Sequence, residues 1–181
     1  MRGRRIVVGV TGGIAAYKSA VLVSHLVQQG AEVSVVMTES SLQFIGTATF
    51  VALTGRPVHV DMFDQGVHRL GPHIELAEWT ELLCVAPATA NFLAKSATGV
   101  ADDLLSTLYL AVRRPVVVAP AMNTAMWSHA AVQRNVQQLR TDGVVIVDPD
   151  AGWLSCRQQG AGRMAAPEHI ADVIDKRLPK G

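Results

Sequence analysis

The chain has 181 residues, enough for one domain with a sizeable core. Apolar residues make up 49% and the formal net charge is +1, a balance that gives no electrostatic footing for nucleic acid or an anionic membrane. The basic opening Met1-Arg2-Gly3-Arg4-Arg5 leads into an apolar stretch that stops at Thr11-Gly12-Gly13, too short for a secretory signal, and nothing later reaches transmembrane length, so a cytoplasmic protein is expected.

Arg5 to Val10 is a continuous apolar run, the pattern of a strand buried on both faces of a parallel sheet. Thr11-Gly12-Gly13 then turns the chain into a helix from about Ile14 to Gln29. Ala16, Ala20, Val23 and Val27 stripe that helix, Leu22 and Leu26 widen the stripe, and Gly30 caps its end. Glu32 to Met37 is the second strand, completing a βαβ unit. The glycine turn presents bare N–H groups at a helix N-terminus, which suits a phosphate or a plain tight turn. Gly9, Gly12 and Gly13 lack the GxGxxG spacing, and Lys18 stands too far away for a P-loop. No acidic residue closes the second strand to hold a ribose hydroxyl. Thr38-Glu39-Ser40-Ser41 stands there, its hydroxyls available to a phosphate or as caps for a helix from about Leu42 to Leu53.

Gly55-Arg56-Pro57 breaks the pattern, Val58 to Met62 reads as a short strand, and Asp64 to Pro72 as a loop. His73 precedes a helical turn that feeds the central strand Leu82 to Ala86. Cys84 lies within that strand, where an inert core thiol is expected. Pro87-Ala88-Thr89-Ala90-Asn91 follows at the strand's end and serves either as a crevice loop or as a helix start. Helices are expected at about Ala90 to Ala97 and Asp102 to Val112, with Gly99 between them; Ser106 and Thr107 in the second face a ligand, solvent or core. Pro115 to Val118 is a buried strand. The loop after it offers Asn123 between Met122 and Met126. An amide donates to a carboxylate and accepts in the same place; the alternative is an N-cap with methionines as core filler. A helix over Ala130 to Thr141 and a strand over Val144 to Val147 come next, then turn chemistry at Asp148 to Gly152. Trp153 to Met164 carries Gly160 and Gly162 and no helical or strand period, so residues 151–164 read as a mobile flap. Cys156 in that flap is a reachable thiol. No CxxC or Cys/His cluster points to a metal. Pro167 to Leu178 closes the chain as a helix.

These elements give an α/β fold: a single-domain, Rossmann-like (flavodoxin-like) parallel sheet with helices on both faces, spanning residues 1–181. Four glycine- or hydroxyl-bearing loops fall at strand C-termini. Together they suit a phosphorylated, largely planar cofactor at the switch point of the sheet. His73, Asn123 and Cys156 supply a base, a carboxylate ligand and a proton-donating thiol around it.

Five stretches make the sequence recognisable: Thr11-Gly12-Gly13-Ile14-Ala15-Ala16-Tyr17-Lys18, His73-Ile74-Glu75-Leu76, Pro87-Ala88-Thr89-Ala90-Asn91, Pro120-Ala121-Met122-Asn123-Thr124-Ala125-Met126-Trp127, and Cys156 with Gly160-Ala161-Gly162-Arg163-Met164. The chain resembles the homo-oligomeric flavin-containing cysteine decarboxylases. It is most similar to the branch that converts 4'-phosphopantothenoylcysteine to 4'-phosphopantetheine in coenzyme A biosynthesis. The resemblance implies FMN held by Gly12, Gly13, Ile14, Thr38, Ser40, Thr89, Ala90 and Asn91, with Ser106 and Thr107 as further contacts. It implies a homotrimer or a higher assembly of trimers, with FMN near the subunit interface. It also implies transient oxidation of the substrate thiol to a thioaldehyde, loss of CO2 and re-reduction of the enethiol. In that scheme His73 is the base, Asn123 holds the carboxylate with Met122 beside it, and Cys156 donates the final proton. Trp153, Leu154 and Ser155 close over the substrate. Arg157 stands where the family often has glycine. Two further readings carry the same fold: an oxidative decarboxylase of a peptide's C-terminal cysteine, which needs no flap cysteine, and a non-catalytic FMN-binding regulatory subunit.

Overall fold

The computed structural model describes residues 1–63, 71–155 and 157–179. Cys156 and most of the expected 64–72 loop therefore lie outside the described residues. Six strands pair in parallel: β1 (Arg5–Val10), β2 (Glu32–Met37), β3 (Val58–His59), β4 (Leu82–Ala88), β5 (Val116–Pro120) and β6 (Val145–Ile146), in the order β3-β2-β1-β4-β5-β6. Four of them are long apolar runs because both faces are covered. Five of six residues are buried in β1 and in β2, and all are buried in β4 and β5.

On one face, α1 (Ala16–Gln28) and α8 (Pro167–Arg177) pack through Leu22, Leu26, Ile170 and Ile174, with Phe50 of α2 (Thr47–Thr54) beside them. On the other face lie α3 (Pro72–Trp79), α4 (Ala90–Thr98), α5 (Leu104–Ala111) and α7 (Ala130–Thr141). They contribute Leu76, Phe92, Leu93, Leu105, Leu108 and Leu139. The expected core thiol is there: Cys84 is fully buried, and burial pushes it up to about 12, so it stays a neutral, unreactive SH.

The strands expected over 58–62 and 144–147 shorten to β3 and β6, and three expectations change in kind. The helix expected over 42–53 is a 3-10 turn, Glu39–Gln43, followed by the separate α2. One helical turn, α6 (Thr124–Ser128), interrupts the loop expected after β5. The segment read as a periodless flap is an antiparallel hairpin of β7 (Asp150–Trp153) and β8 (Gln159–Arg163), paired to each other and to no strand of the main sheet.

The strand order reverses between β1 and β4. In an open α/β sheet the crevice for a ligand lies there, beyond the carboxyl ends of the strands. Thr11 straps this point together. Its hydroxyl donates to the Pro87 carbonyl at 2.7 Å and accepts from the Thr89 N–H at 3.0 Å.

Candidate functional site

A cavity of about 500 Å³ opens at the switch point, a size typical of a small-molecule site. One wall is the glycine turn, Gly12-Gly13-Ile14, with Tyr17 and Lys18 from the first turns of α1. No side chain caps the N-terminus of α1; its Ala16 and Lys18 N–H groups bond the Gly13 and Ala15 carbonyls, and its dipole is left for an anion. Gly12 is glycine for contact, not for φ. A Cβ there would stand 2.5 Å from the Ser40 Cβ and 2.9 Å from its carbonyl carbon. The turn after β1 thus presses directly on the Thr38–Ser40 segment after β2. At the start of that segment, the Thr38 hydroxyl oxygen is buried without a partner among the described residues. A phosphate placed against these groups supplies the acceptor that the hydroxyl lacks.

The second wall comes from β4 and β5. Thr89 caps α4, its hydroxyl accepting from the Phe92 N–H at 3.3 Å, and with Ala90 it lines the cavity. Met122, Asn123 and Met126 line it from the next loop. Asn123 is both things its sequence allowed. Its Oδ1 accepts from the Met126 N–H at 2.8 Å and caps α6. That bond fixes the flip of the amide and leaves the Nδ2 group as a donor toward a carboxylate.

The roof is the hairpin, from which Trp153, Leu154, Ser155, Gly162 and Arg163 reach the cavity. The Met122 N–H donates to the Gly162 carbonyl at 2.9 Å. Gly162 has φ +128°, and a Cβ on it would collide with the Met122 carbonyl. A Cβ on Gly160 would strike the Thr124 side chain. The hairpin therefore rests on the asparagine loop through bare glycine backbone.

Ten expected residues meet in this one cavity: Gly12, Gly13, Ile14, Thr89, Ala90, Met122, Asn123, Trp153, Leu154 and Ser155. Ser40 stands behind its glycine wall, and neither Ser40 nor Thr38 lines it. Asn91, on α4, is exposed and does not line it. Ser106 is buried in a capping box: its N–H donates to Asp103 Oδ1 at 2.8 Å, and its hydroxyl accepts from the Asp103 N–H at 3.2 Å. The Thr107 hydroxyl donates to the Asp103 carbonyl at 2.8 Å. Both hydroxyls are thus spent on starting α5, outside the cavity lining.

His73 follows Gly71 (φ +96°) and Pro72 at the start of α3. Because α3 ends just before β4, this start faces the carboxyl end of the sheet. Its Nδ1 is buried with no hydrogen-bond partner among the described residues, and His73 does not line the cavity. Cys156 lies outside the described residues.

Among the lining residues not expected at the site, two are charged: Lys18 and Arg163. Lys18 donates from Nζ to the Met164 carbonyl at 2.6 Å and is only 8% exposed. Burial, then the Arg163 charge, lowers its pKa; Asp150 and Glu168 act in the opposite sense. Its place was readable, because Lys18 falls four and eight residues before Leu22 and Leu26 on the apolar stripe of α1.

The model of the Flavoprotein family matches residues 1–179. The "Coenzyme A biosynthesis bifunctional protein CoaBC" of Bacillus subtilis (strain 168) is 44% identical over 178 residues, covering 98% of this chain and 44% of that protein. Its Mycolicibacterium smegmatis counterpart is 47% identical over 177 residues, covering 98% of this chain and 42% of that one. The chain thus spans less than half the length of these relatives. Among solved structures, the FMN-dependent cysteine decarboxylase SpaF is 36% identical with a TM-score of 0.84, over 97% of this chain and 95% of that one. A cysteine-to-serine mutant of PPC decarboxylase complexed with pantothenoylaminoethenethiol is 32% identical with a TM-score of 0.85, over 97% and 98%.

Proposed function

The chain belongs to the Flavoprotein family, and on that premise we propose that it binds FMN and decarboxylates 4'-phosphopantothenoylcysteine to 4'-phosphopantetheine, as one domain with the hairpin as its substrate flap. The observation that carries this reading is the Asn123 amide. It is fixed as a donor by its own cap and faces a cavity whose opposite wall is an uncapped helix N-terminus behind a glycine turn.

The residues present fit FMN. Gly12, Gly13 and Ile14 with the α1 N-terminus would hold its phosphate, and the Thr38 hydroxyl, without a partner among the described residues, would be a further donor to it. Thr89 and Ala90 would border the rest. Bound there, FMN would supply a reversible two-electron acceptor for the substrate thiol. Asn123 Nδ2 donates to the substrate carboxylate and orients it for loss as CO2. Met122 and Leu154 present an apolar surround that excludes water from the departing group. The His73 imidazole takes the substrate proton, and Cys156 Sγ gives one to the enethiol. Trp153, Leu154 and Ser155 cover the substrate.

The working unit in this proposal is a homotrimer in the cytoplasm. Ile14, just before α1, and Tyr17 and Val21 on it are exposed apolar residues at the cavity's edge, the first two 58% and 57% exposed. Ile74 and Leu110 are exposed on the α3–α5 face, beside His73. Two unlike apolar faces suit a heterologous contact that closes as a ring. In that ring the His73 that serves a cavity comes from a neighbouring copy, which accounts for its absence from its own.

Mass spectrometry of 4'-phosphopantothenoylcysteine incubated with the FMN-loaded protein tests the reading: 4'-phosphopantetheine is expected, and unchanged substrate overturns it. Cys156→Ser is expected to accumulate the oxidised enethiol; normal turnover by that variant removes Cys156 from the mechanism.

A further inference from the structure

We propose that Arg163 and Lys18 form a second anion subsite in the cavity, one that takes a phosphomonoester dianion. The choice of the substrate's phosphate as that dianion rests on the function proposed above.

Among the described residues, the charged ones that line the cavity are these two, both cationic, and no aspartate or glutamate lines it. Lys18 has a neutral carbonyl as its partner at 2.6 Å, so its ammonium keeps donors beyond that bond. It takes part in none of the ion pairs of the described residues. Asp150 and Glu168 act on it only as more distant charges. Arg163 ends β8 opposite Asp150. Its Nη1 and Cδ lie 3.3 and 3.4 Å from where a Cβ on Gly152 would stand. The bare backbone of Gly152 therefore gives the guanidinium stem a flat bed across the hairpin. Arg163 acts on Lys18 as a repelling charge, and two such cations in a confined, partly dry space repel more strongly than in water. A dianion between them reverses that repulsion, and a guanidinium fork matches a phosphate face in two hydrogen bonds.

The other anionic groups of the reading already have partners. The carboxylate has Asn123, and the cofactor phosphate has the glycine turn. The substrate's terminal phosphate is the dianion left over. The shared chemistry, a phosphomonoester, has two sources here: the substrate and the cofactor.

The test is calorimetric titration of the FMN-loaded protein with 4'-phosphopantothenate and, separately, with pantothenate. Neither probe carries a cysteine, so the result stands whether or not the protein decarboxylates anything. The wild type is expected to bind the phosphorylated probe at least tenfold more tightly. Arg163→Met is expected to shrink that ratio at least tenfold, and Arg163→Lys to keep part of it. FMN release on dilution, followed by flavin fluorescence, is expected to be unchanged in Arg163→Met. An unchanged probe ratio in Arg163→Met overturns the proposal. A tenfold faster FMN release with the ratio intact overturns it too, since the cations then serve the cofactor's phosphate. Lys18→Arg, which keeps the charge, is expected to retain the ratio.

Discussion

The floor and the roof of the cavity are held in different ways. The floor is a set of loops on the ends of β1, β4 and β5, strands whose side chains are almost all fully buried. Its geometry is a by-product of core packing and can change only if the core does. The roof is a two-stranded hairpin with mostly exposed residues. Few contacts seat it: the Met122–Gly162 hydrogen bond, the Gly160 backbone against Thr124, and Lys18 on the carbonyl of Met164 just past β8. Such a region is expected to open at low cost, which suits the flap role proposed for it. Stability belongs to the floor, and in that proposal control of access belongs to the roof.

That division is easiest to break at Gly162. In Gly162→Ala the new methyl meets the Met122 carbonyl, and φ +128° disfavours any side chain. The hairpin is expected to lift from the asparagine loop. A displacement of this size costs about 10²-fold in kcat/KM, while Tm moves little because no core residue is touched. A large fall in Tm would mean that the roof is part of the core after all. Asn123→Asp separates the two roles of one floor residue. Aspartate caps a helix as well as asparagine does, so Tm is expected to hold. It offers no N–H and repels a carboxylate, and a loss of about 10²-fold in kcat/KM is expected, equal to about 2.7 kcal/mol. Unaltered turnover would remove Asn123 from carboxylate binding.

What the sequence disclosed follows the same division. β1 ends at Val10, β2 spans Glu32–Met37 and α7 spans Ala130–Thr141, as their periods required, because each buries its apolar side in the core. β4 runs two residues past its expected end at Ala86, since the Pro87 carbonyl still finds a donor in Thr11. The hairpin had no such signature. Its strands Asp-Ala-Gly-Trp and Gln-Gly-Ala-Gly-Arg bury little and pair only with each other, so no period records them. The wall loops were legible because glycine, hydroxyl and amide residues stand at strand ends. Lys18 had a signal in its place on the apolar stripe of α1, but Arg163 in the hairpin had none, and long basic side chains ordinarily mark solvent.

Two smaller effects sharpen the comparison from the floor's side. A Cβ on Gly9 would stand 2.5 Å from Leu105 Cδ1 inside the core. Gly9→Ala is therefore expected to cost about 1–3 kcal/mol of unfolding free energy, read by denaturant titration, with turnover per folded molecule largely kept. The smallest effect concerns Asp103, which caps α5 and receives Lys95 Nζ at 2.8 Å. Partial burial works against its charge, but the hydrogen bonds from Lys95 and Ser106 prevail, and its pKa is lowered. A lowered carboxylate pKa means that the unfolded chain takes up protons first as pH falls. The contribution of Asp103 is thus whole above the ordinary aspartate value near 3.9 and is lost as pH drops through the lower folded value. Asp103→Asn keeps a capping side chain and removes the charge. The stability gap between wild type and this variant is expected to be about 1 kcal/mol or less at neutral pH, flat down to about pH 4 and closing below it. A gap that widens in acid would show that burial, not the Lys95 pair, governs this carboxylate. The start of α5 would then be a strained part of the floor.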